Sequence, residues 1–135
     1  MSYAIGAALQ AAVYQRLRGS SALDALVGDA IYDAAPSGAV TGIYVSIGPE
    51  DVVDASDMTG DGAVHDFVVS VVTDAAGFQT AKDVAAVISD ALVDATLVLA
   101  RGKLIGLRFV KAKARRVDTA STRRIDITFR ARVEG

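Results

Sequence analysis

From Arg123 to Val133 polar and apolar residues alternate, with Ile125, Ile127, Phe129, Ala131 and Val133 separated by Asp126, Thr128, Arg130 and Arg132 and preceded by Arg124. Successive side chains of an extended chain point to opposite faces, so this run predicts a strand with one apolar and one basic face. Such a strand needs paired neighbours and a layer over its apolar face, and the chain supplies both. Residues 64–74, "VHDFVVSVVTD", are rich in β-branched side chains and set Phe67, Val69 and Val71 on one face. Ile43, Val45 and Ile47 alternate with Tyr44 and Ser46, which predicts a strand over 43–48. "AIYDA" around Ile31 predicts a brief one, and "PSGAVTG" after it a loop. The run at 103–117, "KLIGLRFVKAKARRV", is joined to the last by "DTAST", a pattern that predicts a C-terminal hairpin.

Two amphipathic helices supply the covering layer. Ile5, Leu9, Ala12, Val13 and Leu17 recur at spacings of three and four, predicting a helix over 3–18 that Gly19 ends. Val84, Val87, Ile88, Ala91 and Leu92 form a stripe opposite Lys82, Asp83, Ser89 and Asp90, predicting a second over 79–94 with Thr80 as its cap. Between Ser20 or Ser21 and Gly28 a short helical turn carries Leu23 and Leu26. These elements predict an α+β domain, an antiparallel-rich sheet of four or five strands with two helices packed on one face and a C-terminal β-hairpin. At 135 residues the chain fits a single domain over 1–135, able to bury about two-thirds of its unfolded surface.

Charge divides the chain in two. Residues 101–135 carry 11 basic and 3 acidic side chains, 11 − 3 = +8, whereas residues 1–100 carry 3 basic and 13 acidic ones, 3 − 13 = −10. The basic half coincides with the predicted hairpin, so Arg108, Lys111, Lys113, Arg115, Arg116, Arg124, Arg130 and Arg132 form a candidate basic contact face. Lys111, Lys113 and Arg115 share one parity, and Arg108 and Arg116 the other. The acidic half is densest in "PEDVVDASDMTGDGA", residues 49–63, which lacks steady periodicity and reads as a long exposed loop. Glu50, Asp51, Asp54, Asp57 and Asp61 make it a candidate assembly loop, expected to be mobile in the isolated protein and to order against a neighbour.

Several chemistries are poorly served. His65 is the only histidine, beside Asp66 at a strand start, and no Gly-x-Ser-x-Gly turn accompanies it, which argues against a serine hydrolase. "DMTGDG" places Asp57, Thr59 and Asp61 as in an EF-hand loop, but its twelfth position is Val68 and a strand follows instead of a helix. Phosphate-binding glycine motifs are absent, and without cysteine there is no disulfide or thiolate metal site. The reading is therefore of a non-enzyme with no cofactor and no metal. No window of about 18 uncharged apolar residues exists, and the N-terminus lacks the pattern of a signal peptide, so no membrane association is expected. The basic strands could instead neutralise phosphates in a small nucleic-acid-binding module. Against that stand a pI near 5.2 and a hairpin whose only rings, Phe109 and Phe129, both suit a core.

The order of elements, carried by "ALQAAVYQRLRGSSALDALVGDAIYDAAPSGA", "YVSIGPE", "FVVSVVTDAAGFQTAKDVAAVISDAL" and "RRIDITFRARVE", resembles the tail-completion and tail-terminator proteins of long-tailed phages and bacterial gene transfer agents. The Ala, Val, Asp and Arg bias suits a GC-rich genome, and hence a gene transfer agent. The resemblance implies a structural particle protein: a ring, usually of six subunits, that caps the tail tube and joins it to the head-side connector. It also implies that DNA transits the lumen without sequence-specific binding, and that the protein moves from the bacterial cytoplasm during assembly into the finished particle. In such a ring the basic hairpin face is expected to meet the acidic part of the next subunit, with a DNA-facing lumen or a plain solvated face as the competing placements.

Overall fold

The alternating C-terminal run is strand β5 (Arg123–Glu134), an interior strand whose odd-numbered residues Ile125 to Val133 are all buried. The computed structural model describes residues 3–34, 36, 42–58, 60–117 and 122–135. Helices α1 (Gly6–Arg18) and α2 (Ser21–Val27) lead to strands β1 (Ile31–Tyr32), β2 (Ile43–Asp54) and β3 (Gly62–Thr73); helix α3 (Gln79–Leu92) and strand β4 (Lys103–Arg116) precede β5. The sheet order is β1-β2-β3-β5-β4, antiparallel throughout except for the short β1–β2 pair.

One core lies between this sheet and the helices. Leu9, Val13 and Leu17 of α1 and Val84, Ile88 and Leu92 of α3 meet Val45, Ile47, Phe67, Val69 and Val71 and the odd side of β5. At its centre Phe129, fully buried, stacks on Phe67 with ring centroids 5.8 Å apart. The helix-on-sheet expectation therefore holds, with α2 as a third, shorter helix whose buried residue is Leu23.

Local signals fared unevenly. Ser20 caps α2, its Oγ accepting from the Leu23 N–H at 3.2 Å, and Gly28 ends it at φ +59°. Thr80 does not cap α3: the helix starts after Phe78, which makes no side-chain cap bond, and Gln79 Nε2 donates to Asp83 Oδ1 at 3.0 Å. The helix stops at Leu92, and Asp94, at φ +57°, donates its N–H to the Leu107 carbonyl at 2.9 Å, turning the chain toward β4. Most of the loop expected after Ile31 and most of "DTAST" lie outside the described residues, although the Val117 N–H donates to the Thr122 carbonyl at 2.9 Å and begins the hairpin turn.

The largest correction concerns residues 49–63, which are mostly strand. β2 continues to Asp54, pairing Glu50 with Phe67, Asp51 with Asp66, Val52 with His65, Val53 with Val64 and Asp54 with Ala63. Between Ile47 and Glu50 the register shifts by one residue at Gly48 and Pro49, the position where a proline lacking an N–H is tolerated in a strand. That bulge interrupts the period of two, and the acidic residues beyond it have low strand propensity, so local pattern alone misses the strand. Only 55–61 connect β2 to β3, closed by hydrogen bonds from the Ala55 N–H to the Gly62 carbonyl and from the Asp57 N–H to the Gly60 carbonyl.

Candidate assembly surface

All the helices of the described residues lie on one side of the sheet; on the other face Ser46, Ser70 and Val72 are buried, and toward β4 and β5 the strand registers determine what it displays. Across β5 and β4 the facing pairs are Arg130–Arg108, Thr128–Lys111, Asp126–Lys113 and Arg124–Arg115. Directly opposed residues share a face, so Arg108, Lys111, Lys113, Arg115, Arg124 and Arg130 stand together, joined by Arg132 one step further along β5. The sequence pattern had split Arg108 from Lys111, Lys113 and Arg115 by parity. A second register shift, between Phe109 and Lys111, inserts Val110 and brings both sets to the same side. Arg116 is the exception: it pairs with Arg123, whose guanidinium lies 5.5 Å from the Phe78 ring on the helix side.

Much of this charge is answered within the chain. Arg130 grips Asp66 on β3 through two hydrogen bonds of 2.8 and 2.9 Å. The bond from Arg130, with the charges of Arg130, Arg108 and Lys111, holds the Asp66 carboxyl below its ordinary value in spite of partial burial. Asp126 accepts from Ser70 Oγ at 2.7 Å and from Arg124 Nε at 2.8 Å, with Arg115 at 3.8 Å. Burial pushes Asp126 up, but the bonds from Ser70 and Arg124 and the charges of Arg124 and Arg115 outweigh it, and its carboxyl also lies below the usual value. Arg132 donates to the Ala55 carbonyl at 3.4 Å. Asp66 and Asp126, the internal counter-ions, were absent from the sequence-level candidates; their even parity beside the arginines was the available signal. Arg108, Lys111 and Lys113 form no ion pair with a described residue and remain outward-facing cations.

The acidic candidates do not form one loop. Asp51 lies on the open face, opposite Asp66, while Glu50 lies on the helix side, where Tyr3 donates its hydroxyl to it and His65 Nδ1 stands 3.8 Å away. Asp54 ends β2 and accepts from Ser56 Oγ at 2.7 Å; Asp57 and Asp61 fall in the connection. His65 is buried, stacked beside Tyr3, with neither ring nitrogen hydrogen-bonded to a described residue. Among the described residues no group of three or more His, Cys, Asp or Glu is placed to hold a metal ion, and no helix is long and apolar enough to cross a membrane.

These features define a small α+β protein with a helix-covered core and an open, charged sheet face. More particularly, the chain belongs to the tail completion protein family: the model for tail completion protein gp17 matches residues 11–134. A solved chain from the virion of a native gene transfer agent particle is 69% identical, superposes with a TM-score of 0.93, and is matched over 99% of this chain and 100% of that one. No match was found among curated proteins. The family is the one that the sequence resembled.

Proposed function

We propose that this chain is the tail terminator of a phage-like particle: a ring, of six subunits as the family resemblance implies, that caps the tail tube and joins it to the head-side connector. The likeness to a chain of a gene transfer agent virion, 69% identical and matched end to end, carries this reading. The protein acts by contact, through its open face and strand edges, with the tube protein, the connector and copies of itself; it assembles in the bacterial cytoplasm and stays in the neck of the particle. DNA crosses the lumen without being read. A closed ring requires two different patches on each protomer, and the basic β4–β5 face and the acidic β2 segment are such a pair. Imaging particles built with and without this chain tests the reading. Tails of uniform length capped by a ring are expected with it, and uncapped or overgrown tubes without it; normally joined particles in its absence would refute it.

A second reading rests on the row Arg108, Lys111 and Lys113, exposed cations without an ion pair among the described residues and suited to phosphate. Binding of a labelled oligonucleotide at physiological salt, falling steeply as salt rises, would favour a nucleic-acid module. Negligible binding supports the structural role.

A further inference from the structure

On the open face, beside the register shift between Leu104 and Gly106, lies a depression of about 370 Å³ bordered by Val64, Asp94, Gly106, Arg108, Arg130 and Arg132. Gly106 stands opposite Arg132 and so belongs to the same face, where its missing side chain leaves a gap at the end of the row Val53, Val64, Arg132. Glycine weakens a strand, and inside one it marks a bulge, a bend or a close approach by another backbone or a ligand. The residue inserted by the shift is Ile105, one position earlier. At Gly106 itself φ is not positive, and a Cβ would find no described atom within 4 Å. Neither the local backbone nor the packing of the described residues requires a glycine here; the space is left for something outside the chain.

The charges around the gap say what fits it. Arg130 is held by Asp66, Arg132 donates to the neutral Ala55 carbonyl, and Arg108 forms no ion pair with a described residue. Asp94 lies at the outer rim, where its N–H meets the Leu107 carbonyl. Counting Arg108, Arg130 and Arg132 against Asp66 and Asp94, the site carries 3 − 2 = +1. One carboxylate neutralises it, and the planar guanidinium fork matches carboxylate geometry. A phosphodiester chain would instead lay further negative charges beside Asp66 and Asp94, where like charges repel.

We infer that this gap is a carboxylate pocket, entered in the ring by one acidic side chain from the acidic half of a neighbouring copy. The inference rests on the ring reading above and names the anchor of its contact. Suitable side chains are at hand: Asp24 of α2, Asp51 of β2 and Asp83 and Asp90 of α3 are exposed and form no ion pair with a described residue. Binding energy concentrates in arginines that close over a partner in a pocket, whereas charges at a rim chiefly guide encounter. Arg108 and Arg132 therefore matter more to assembly than Lys111 and Lys113.

Gly106→Val tests the pocket without removing a charge, since a β-branched side chain suits a strand and has open space there. The free variant is expected to melt within about 4 °C of wild type, while the yield of intact particles falls by about tenfold or more. Arg132→Gln should give a comparable loss and Lys113→Gln a smaller one. A folded Gly106→Val chain that builds particles at wild-type yield would overturn the inference. Wild-type protein supplies a second measurement, because phenylglyoxal labels accessible arginines. Arg108 and Arg132 should react in the free chain and be protected in particles, with or without DNA inside. Protection confined to DNA-filled particles would overturn the inference in favour of phosphate. Both arginines reactive in particles that show a ring would overturn it and leave the terminator reading intact; particles without a ring would sink that reading and this contact together. Arg108→Lys places an amine at the gap, and zero-length carbodiimide coupling in particles should join position 108 to a carboxylate of a second copy, giving a covalent dimer. Coupling to a different particle protein, or within single chains alone, would overturn the assignment to a neighbouring copy.

Discussion

β5 and β4 are the two arms of one hairpin, with similar mixtures of apolar and basic residues, yet they differ sharply in burial. In β5 every second residue from Ile125 to Val133 is buried, whereas in the fourteen residues of β4 only Leu107 is. β5 runs unbroken between β3 and β4 beneath the helices, and β4 is an edge with two register shifts. Alternation thus measures a strand's capacity to bury a face; position in the sheet decides whether the capacity is used. An interior strand stabilises the fold, and an edge strand retains surface for another molecule.

The contrast is broken most severely at its phenylalanines. Phe129 and Phe109 face each other on the core side, but Phe109 is 47% exposed while Phe129 is fully buried. Phe129→Ala should cost about 3–5 kcal/mol in denaturant unfolding, and Phe109→Ala under about 1.5 kcal/mol, because a half-exposed ring loses less buried area and leaves no closed cavity. Equal losses would show that the β4 edge is as structural as β5.

Next in size is the turn that delivers the chain to β4. Gly102 adopts φ +75°, and a Cβ there would clash with Ile5 Cδ1 and meet the Glu134 carbonyl oxygen at 2.8 Å. Gly102→Ala should destabilise by about 2 kcal/mol or more, combining left-handed strain with a clash against backbone that cannot step aside. Wild-type thermal stability in this variant would mean that the turn relaxes freely.

The open-face ion pairs sharpen the comparison through pH. In the folded state Asp66 has its carboxyl pKa lowered by Arg130, and Asp126, against the upward push of burial, by Ser70 and Arg124. A depressed carboxylate stabilises fully above its unfolded value near 4, and that contribution is lost as pH falls through the folded-state value. Stability should therefore decline below about pH 4, by no more than about 1 kcal/mol per pair given their solvent access. Asp66→Asn should flatten part of that acid limb; an unchanged limb would deny the Asp66–Arg130 pair any role.

The smallest effect belongs to the unpaired cations. Lys113→Gln should change monomer stability by less than about 0.5 kcal/mol, since the side chain is exposed and makes no ion pair with a described residue, yet should lower particle yield if β4 is an assembly edge. A destabilised monomer with normal yield would reverse the assignment of the two strands.

By itself the sequence determined the core side of the sheet, the two helix stripes, a cap at Ser20 or Ser21, the C-terminal hairpin and the separation of −10 from +8. Those are periodic or compositional properties, visible wherever neighbouring residues report a common environment. The tertiary structure decided what depends on residues far apart in the chain. Glu50 to Asp54 became strand because Ala63 to Phe67 were there to pair with them across a bulge, and one inserted residue at Val110 moved Arg108 to the same face as Lys111. Asp66 met Arg130, 64 positions away, and so set which cations remained outward. A bulge shifts the period of two by one residue and leaves little local trace, and the strand order that creates free edges is settled by packing across the whole sheet.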